Sequence, residues 1–255
     1  MSAAPFQFHV RLADSTEDLR AAQRLRYEVF VEELGGDGPL VDHGARLERD
    51  RFDEVFDHLI LTDSARNDAV VGVYRLLRDD QAAAAGQFYS EDEYDLTALK
   101  TSGRRCMELG RSCVARDYRG GPAMFHLWNG LARYVSEHGI EILFGVASFH
   151  GTDPAALAQP LSLLHHRHLA PEALRVRSLP AHYQPMNLLP PDRIDRRRAM
   201  LEVPALIKAY LRLGGFVGDG AFVDHAFNTT DVCLVMDTAR MSEMQRNIYA
   251  KGITP

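Results

Sequence analysis

Cysteine is scarce in this chain: Cys106, Cys113 and Cys233 stand far apart, and no CxxC pair exists. Neither a disulfide framework nor a zinc site follows from such spacing. Long apolar runs are missing as well, since no stretch approaches the ~18 residues of a membrane-spanning helix. The N-terminal MSAAPFQFHVRLADS lacks a basic segment followed by an apolar one and does not read as a secretory signal. The expectation is a soluble, cytoplasmic protein, with peripheral contact at the inner face of the membrane left open. An excess of positive charge is also absent. With 29 Lys and Arg against 35 Asp and Glu, the net charge is −6, which argues against nucleic acid as a partner. Against these absences stands an ordinary globular balance, 46% hydrophobic and 25% charged, which excludes disorder and coiled coil for the bulk of the 255 residues.

The patterning supplies the elements. Phe6, Phe8, Val10 and Leu12 alternate as a half-buried strand does. Ser15 then offers a helix N-cap, with Asp18 in the place of a capping-box acid. Leu19, Ala22, Leu25 and Val29 mark one helical face, and Gly35-Gly36 ends it. A polar stretch rich in Asp and Arg follows. VFDHLILTD and AVVGVYRLLR, separated by SARND, predict an antiparallel hairpin. Residues 79–102 are weakly patterned, with room for a short helix. CMELGRSCV (106–114) reads as a strand, the segment around Phe125, Trp128, Leu131 and Val135 as a helix, and ILFGVASF (142–149) as a buried strand. Asp153-Pro154 predicts the start of another helix. LPPDRIDRRRAM is a linker-like basic run, LEVPALIKAYLRLGG an amphipathic helix, and Val232 to Met236 a final strand. The order predicts a single α/β domain over 1–255, built around a mixed sheet flanked by helices.

Chemistry concentrates at the strand, loop and helix of 106–138. In RDYRGGPA, Gly120 and Gly121 let backbone N–H groups face an anion where the helix begins, and Arg116 and Arg119 add formal charge. A glycine-stiffened turn with solvated arginines is an equal reading of the same residues.

This turn, after the fourth strand, resembles that of the GCN5-related N-acyltransferase fold, in which it holds the pantetheine arm of an acyl carrier. Here Arg119-Gly120-Gly121-Pro122-Ala123 departs from the usual Q/R-x-x-G-x-G/A form, in keeping with an altered thioester donor. Further segments, RLRYEVFVEELGG (24–36), FDHLILTD (56–63), VGVYRLLR (71–78), ELGRSCV (108–114) and LIKAYLRLGGFV with FNTTDVCLVMD (206–237), resemble the ornithine–acyl-carrier-protein N-acyltransferases of the haemolysin-like branch. The E-L-x-R strand is also similar to that of acyl-homoserine-lactone synthases. The resemblance implies 3-hydroxyacyl transfer from acyl carrier protein to the α-amino group of a free amino acid, ornithine or glutamine. The donor arm is the carrier's phosphopantetheine, and no permanently bound cofactor or metal is implied.

That reaction needs a base for the ammonium, donors for an oxyanion, and charges for a zwitterion. Glu108 and Arg111 lie three apart on one strand, so a bulge is required to bring both to one site. The resemblance assigns them the acceptor, and a structural ion-pair network is the competing reading. His58 is the histidine best suited as base, or else a hydrogen-bonded core residue. Arg26 and Phe30 share a helical face that borders the acceptor pocket in this fold, and Asp57 and Arg75 are further acceptor-binding candidates. Ser112, Cys113 and Val114 join Arg116, Arg119, Gly120 and Gly121 on the donor side. No Gly-x-Ser-x-Gly elbow surrounds Ser112-Cys113, so neither is read as a nucleophile. His165, His166 and His168 lack a carboxylate to complete a metal set. Residues 171–230 exceed the minimal fold and are read as an insertion shaping the acyl or acceptor pocket. Within it Asp224, Asn228 and Asp231 are candidates for the acceptor, or for ordinary Asx turns.

Overall fold

The computed structural model describes residues 6–39 and 41–241. Two compact units are distinguished, one from residues 6–86 with Leu109–Gly139 and the other from Gln87–Glu108 with 140–241.

In the first unit, β1 (Phe8–Leu12) feeds α1 (Thr16–Arg26) through Ser15, whose side chain accepts from the Asp18 N–H. The Asp18 carboxylate does not complete the box at Ser15. It accepts from the Asp14 N–H and from Arg11, and the Arg11 guanidinium holds it at about 2. Helical winding continues past α1 as a π-helical segment, Tyr27–Glu33, before the glycines. Strands β2 (Asp57–Asp63) and β3 (Ala69–Arg78) form the expected antiparallel hairpin, with β1 on the far side of β2. The second half of β4 (Cys106–Val114) lies beside β3, and the Ala115 N–H donates to Val71 O.

Each face of this sheet carries one helix. Ala22, Leu25 and Val29 pack with Ile60, Val73 and Cys113 on one face. On the other, α2 (Ala123–His138) comes so close that a Cβ at Gly130 would lie 2.3 Å from Val10 Cγ1. Only glycine permits that approach.

In the second unit the first residues of β4, Cys106–Glu108, pair in parallel with Ile142–Phe144 of β5 (Ile142–His150). The helix α3 (Ala158–His168) starts later than Asp153-Pro154 suggests, because Asp153 caps a turn at the Ala155 N–H instead. The basic run expected as a linker is helical, forming α4 (Arg196–Glu202). Pro204 separates it from α5 (Ala205–Arg212), so the single amphipathic helix expected there is broken in two. Short strands β6 (Phe216–Val217) and β7 (Phe222–Asp224) both pair with β8 (Thr229–Asp237), which runs antiparallel to β5 along its whole length. Among the described residues no helix is long and apolar enough to cross a membrane.

Candidate acyltransferase site

Strand alternation puts His58 and Arg75, cross-strand partners on β2 and β3, on the α1 face of the sheet. Around them sits a buried ionic cluster wholly within the first unit. Arg26 donates to both Glu48 Oε2 and, at 2.7 Å, Glu48 O, and reaches Asp53 at 2.7 and 3.1 Å. Arg75 bridges Asp53 and Asp50, each at 2.8 Å, with its guanidinium 4.4 Å from the Phe56 ring centre. Arg111 reaches Glu48 at 3.0 Å and Asp50 at 3.7 Å. Three guanidinia thus face three carboxylates, and formal charge balances, which is what makes so much buried charge tolerable.

Burial pushes the Glu48 and Asp53 carboxyls up, but the surrounding arginines outweigh it. Both stand below the usual carboxylate range. For His58 burial wins and lowers its pKa. Its Nε2–H donates to Asp53 O at 2.9 Å, leaving the lone pair on a buried Nδ1 that has no partner among the described residues. The unfolded chain takes up a proton on this imidazole near pH 6.5, which the fold refuses. Stability is therefore complete above about pH 6.5 and declines as pH drops below it. The carboxylates extend the loss, because their contribution is present above about pH 4.5 and disappears as pH falls through their lower folded values. Thermal unfolding across pH 3 to 8 is expected to show both declines, with the upper one absent in His58→Gln. A transition temperature unchanged between roughly pH 7 and 5 would refute this account.

Arg111 interrupts the regular geometry of β4. Its φ of +49° is left-handed, a conformation rare outside glycine and concentrated at functional sites. The twist turns its side chain to the α1 face and the cluster, where it is the most exposed member at 16%. Glu108 is buried in the second unit. Its carboxylate accepts from the Tyr89 N–H at 2.7 Å, the Ser90 N–H at 2.9 Å and the Ser90 hydroxyl, all within the second unit. Glu108 thus holds the Tyr89–Ser90 backbone, and Arg111 holds Glu48 and Asp50.

The other acceptor candidates are placed as follows. Arg26 and Arg75 are fully buried inside the cluster, where each guanidinium meets carboxylates of the chain itself. Each positions its neighbours within the cluster. Phe30 is half-buried against the Ala22 and Leu25 core. Asp57 lies on the opposite face of the sheet, paired to Arg78 at 2.6 Å and accepting from the Tyr134 hydroxyl. Asp224 accepts from the Ala226 and Phe227 N–H groups, a plain Asx turn, and Asn228 takes the left-handed place in the same hairpin. Asp231 is buried within β8, its carbonyl accepting from the Tyr94 hydroxyl. Glu48, Asp50 and Asp53, half of the cluster, were concealed in the stretch read only as polar. The signal available there was Asp50 and Asp53 at i, i+3 beside aromatic Phe52 and Phe56.

On the donor side, Gly120 adopts φ +74° and both glycines are exposed ahead of α2, whose first turn has no side-chain cap. Free N–H donors at such an end suit a phosphate or pantetheine amide. Arg119 is tied down, donating to Val114 O at 2.8 Å and to Glu33 at 2.7 and 3.1 Å. Arg116 remains 79% exposed. Cys113 is core, and burial pushes its thiol up to about 12, far from nucleophilic reactivity. Ser112 is half-buried, its hydroxyl without a partner among the described residues.

A mixed sheet with a helix on each face of its first half, and a glycine turn opening a helix after β4, define a GCN5-related N-acyltransferase fold. The acetyltransferase (GNAT) domain family matches residues 25–129. FeeM, an N-acyl amino acid synthase from uncultured soil microbes, superposes with a TM-score of 0.57 at 11% identity, covering 95% of this chain and 98% of that one. Sequence comparison goes further. The L-ornithine N(alpha)-acyltransferase of Rhodobacter capsulatus is 60% identical over 257 residues, 99% of this chain and 98% of that protein. The enzyme of the same name from Brucella abortus is 44% identical over 246 residues, 94% and 88% of the two chains. The chain belongs to the family of the L-ornithine N(alpha)-acyltransferases.

Proposed function

We propose that this protein moves a 3-hydroxyacyl group from acyl carrier protein to the α-amino group of L-ornithine, giving lyso-ornithine lipid. The observation that carries the reading is the 60% identity to the Rhodobacter capsulatus enzyme, spread over 99% of the chain. As the amide C–N bond forms, the thioester C–S bond breaks and the carrier leaves as thiol. Of the two protons the ammonium loses, one reprotonates the thiolate and the other goes to solvent.

Within this reading Arg111 is the acceptor's carboxylate partner, because it is the cluster cation nearest solvent and its planar fork matches a carboxylate. The cluster behind it sets the direction of that fork. Glu108 positions the backbone around Tyr89 and Ser90. Gly120, Gly121 and the first turn of α2 receive the phosphopantetheine arm, with Arg111–Val114 offering strand N–H groups to the thioester carbonyl. His58 stays neutral with its lone pair on Nδ1, as a base must, but its lowered pKa confines its titration below pH 6.5. A rate limb at higher pH therefore belongs to the substrate ammonium, and a limb below pH 6.5 that vanishes in His58→Ala assigns the base to His58.

The test is purified protein with 3-hydroxyacyl carrier protein and a panel of amino acids, read by mass spectrometry. Acyl-ornithine and free carrier thiol are expected. Acyl-glutamine alone would change the acceptor, and transfer to no amino acid would overturn the reading. Carrier proteins are acidic, and a protein of charge −6 must meet them through local cations. Arg104 is held by Asp237 and Glu141 and Arg119 by Glu33 at 2.7 Å, whereas Arg116, 3.9 Å from Glu33 and 79% exposed, is the more open cation beside the turn. Arg116→Glu is expected to raise KM for the carrier severalfold at low salt and to leave KM for ornithine unchanged. Equal effects on both would place the docking surface elsewhere.

A further inference from the structure

Among the described residues the most exposed large apolar side chain is Leu201, 73% exposed against 51% for Phe125. It lies on α4 in the second unit, in the segment 191–213, where six cations stand against three acids while the whole chain carries −6. Helical spacing puts Arg197 and Arg198, four and three residues earlier, on the same face as Leu201. From the following helix, the Lys208 ammonium donates to Leu201 O at 3.3 Å, adding a cation at the end of α4.

Three local acids offset half of this charge, and the segment keeps +3. Asp195 spends its carboxylate as N-cap on the Arg197 and Arg198 N–H groups. Glu202 pairs with Arg198 at 2.9 Å. The side chains of Arg193, Arg196 and Arg197 make no pair among the described residues, and all three are exposed. Ala199 and Val203 take the buried side of the segment, so its anchoring to the core does not need Leu201. An aliphatic tip with Arg197 and Arg198 on its own face, Lys208 at the helix end and further exposed arginines before it has the chemistry of an interfacial anchor. The tip enters the acyl boundary while the charges stay with the headgroups.

We propose that α4 and the start of α5 dock this protein on an anionic lipid bilayer through Leu201, Arg193, Arg196, Arg197 and Lys208. Charge complementarity selects the partner. A run of net charge +3 on an otherwise acidic protein is drawn to an anionic surface, each cation strengthening binding on the order of fivefold. An acidic protein would satisfy the arginines as well, but it would have to supply an apolar counter-surface for Leu201, which a bilayer presents everywhere. The proposal goes beyond the acyl-transfer reading and does not depend on it.

The experiment is co-sedimentation of the full chain, without substrates, with vesicles of phosphatidylcholine alone or with about 30% phosphatidylglycerol. Binding to the anionic vesicles is expected to exceed that to neutral ones at least tenfold and to weaken in high salt. The double variant Arg196→Glu, Arg197→Glu should lower it more than tenfold, and Leu201→Ser should lower it severalfold at unchanged net charge. Both variants alter exposed side chains, and an unchanged thermal transition checks that they fold. Solution turnover with carrier-bound substrate should be unaffected in both. Equal binding to the two vesicle types, or full retention in the double variant, would overturn the proposal. So would vesicle binding left intact while KM for the carrier rises, since the face would then belong to an acidic protein.

Discussion

Replacing Arg26 by methionine is expected to destabilise the protein by about 3–5 kcal/mol, the cost of breaking a buried ion pair from one side. Methionine fills most of the volume and keeps the helix propensity, so the loss is electrostatic. Without Arg26, Glu48 and Asp53 remain buried, and the cluster changes from three cations against three anions to two against three. Arg75 keeps its bond to Asp53 and Arg111 its bond to Glu48, but neither replaces the second cation that each carboxylate loses. Thermal unfolding should fall on the order of 10 °C for a chain of this size. The diagnostic is the partner variant. Arg26→Met with Glu48→Gln restores the charge balance, so the pair should cost less than the sum of its single variants, with a coupling of about 0.5–3 kcal/mol. Strict additivity, or a loss under about 1 kcal/mol for Arg26→Met alone, would show that the buried charges are not compensating one another.

The same cluster shows why the sequence disclosed the fold more readily than the site. The hairpin of β2 and β3 was legible because two apolar runs flank a polar turn, and β4 and α2 were legible from period and glycine. Such signals are local, and the sheet merely combines them. Arg26, Arg75 and Arg111 were each visible as candidates, but their partners Glu48, Asp50 and Asp53 sit in a segment with almost no regular structure, so no periodicity marked them. What unites the six is burial, and burial of a charged side chain cannot be read from its own neighbours in sequence. A break in strand alternation between Glu108 and Arg111 was anticipated from their three-residue spacing. Its seat at a left-handed Arg111 was not, because nothing in the sequence marks a positive φ at a non-glycine residue. Asp57 lies outside the cluster for a simpler reason: strand alternation puts it and His58 on opposite faces, so at most one of two adjacent candidates could join it. The helix at 205–212 was found but its predecessor was not, since three consecutive arginines obscure the small apolar face of Ala199 and Val203.

Arg111→Ala is expected to lower kcat/KM for ornithine by roughly 10²–10³ while leaving a cooperative unfolding transition, the scale of a lost charge-stabilising contact in an acyl-transfer site. Stability should suffer less than in the Arg26 variant, because Glu48 keeps its bond to Arg26 and Asp50 keeps its bonds to Arg75. Arg111 is also partly solvated, so its removal leaves no sealed, unpaired charge. If Arg111 grips the acceptor's carboxylate, the loss should be concentrated in the ornithine terms, and KM for the carrier should hardly move. Arg111→Lys should recover stability better than activity, since an ammonium restores the charge without the planar two-point fork. A second readout separates binding from architecture. An amine acceptor lacking the carboxylate should be used poorly by the native enzyme and almost equally poorly by Arg111→Ala, because the contact it cannot make is already gone. If the variant instead loses the same factor with the carboxylate-free amine, or loses activity and thermal stability in parallel, Arg111 serves the buried network alone and the acceptor is held by other groups.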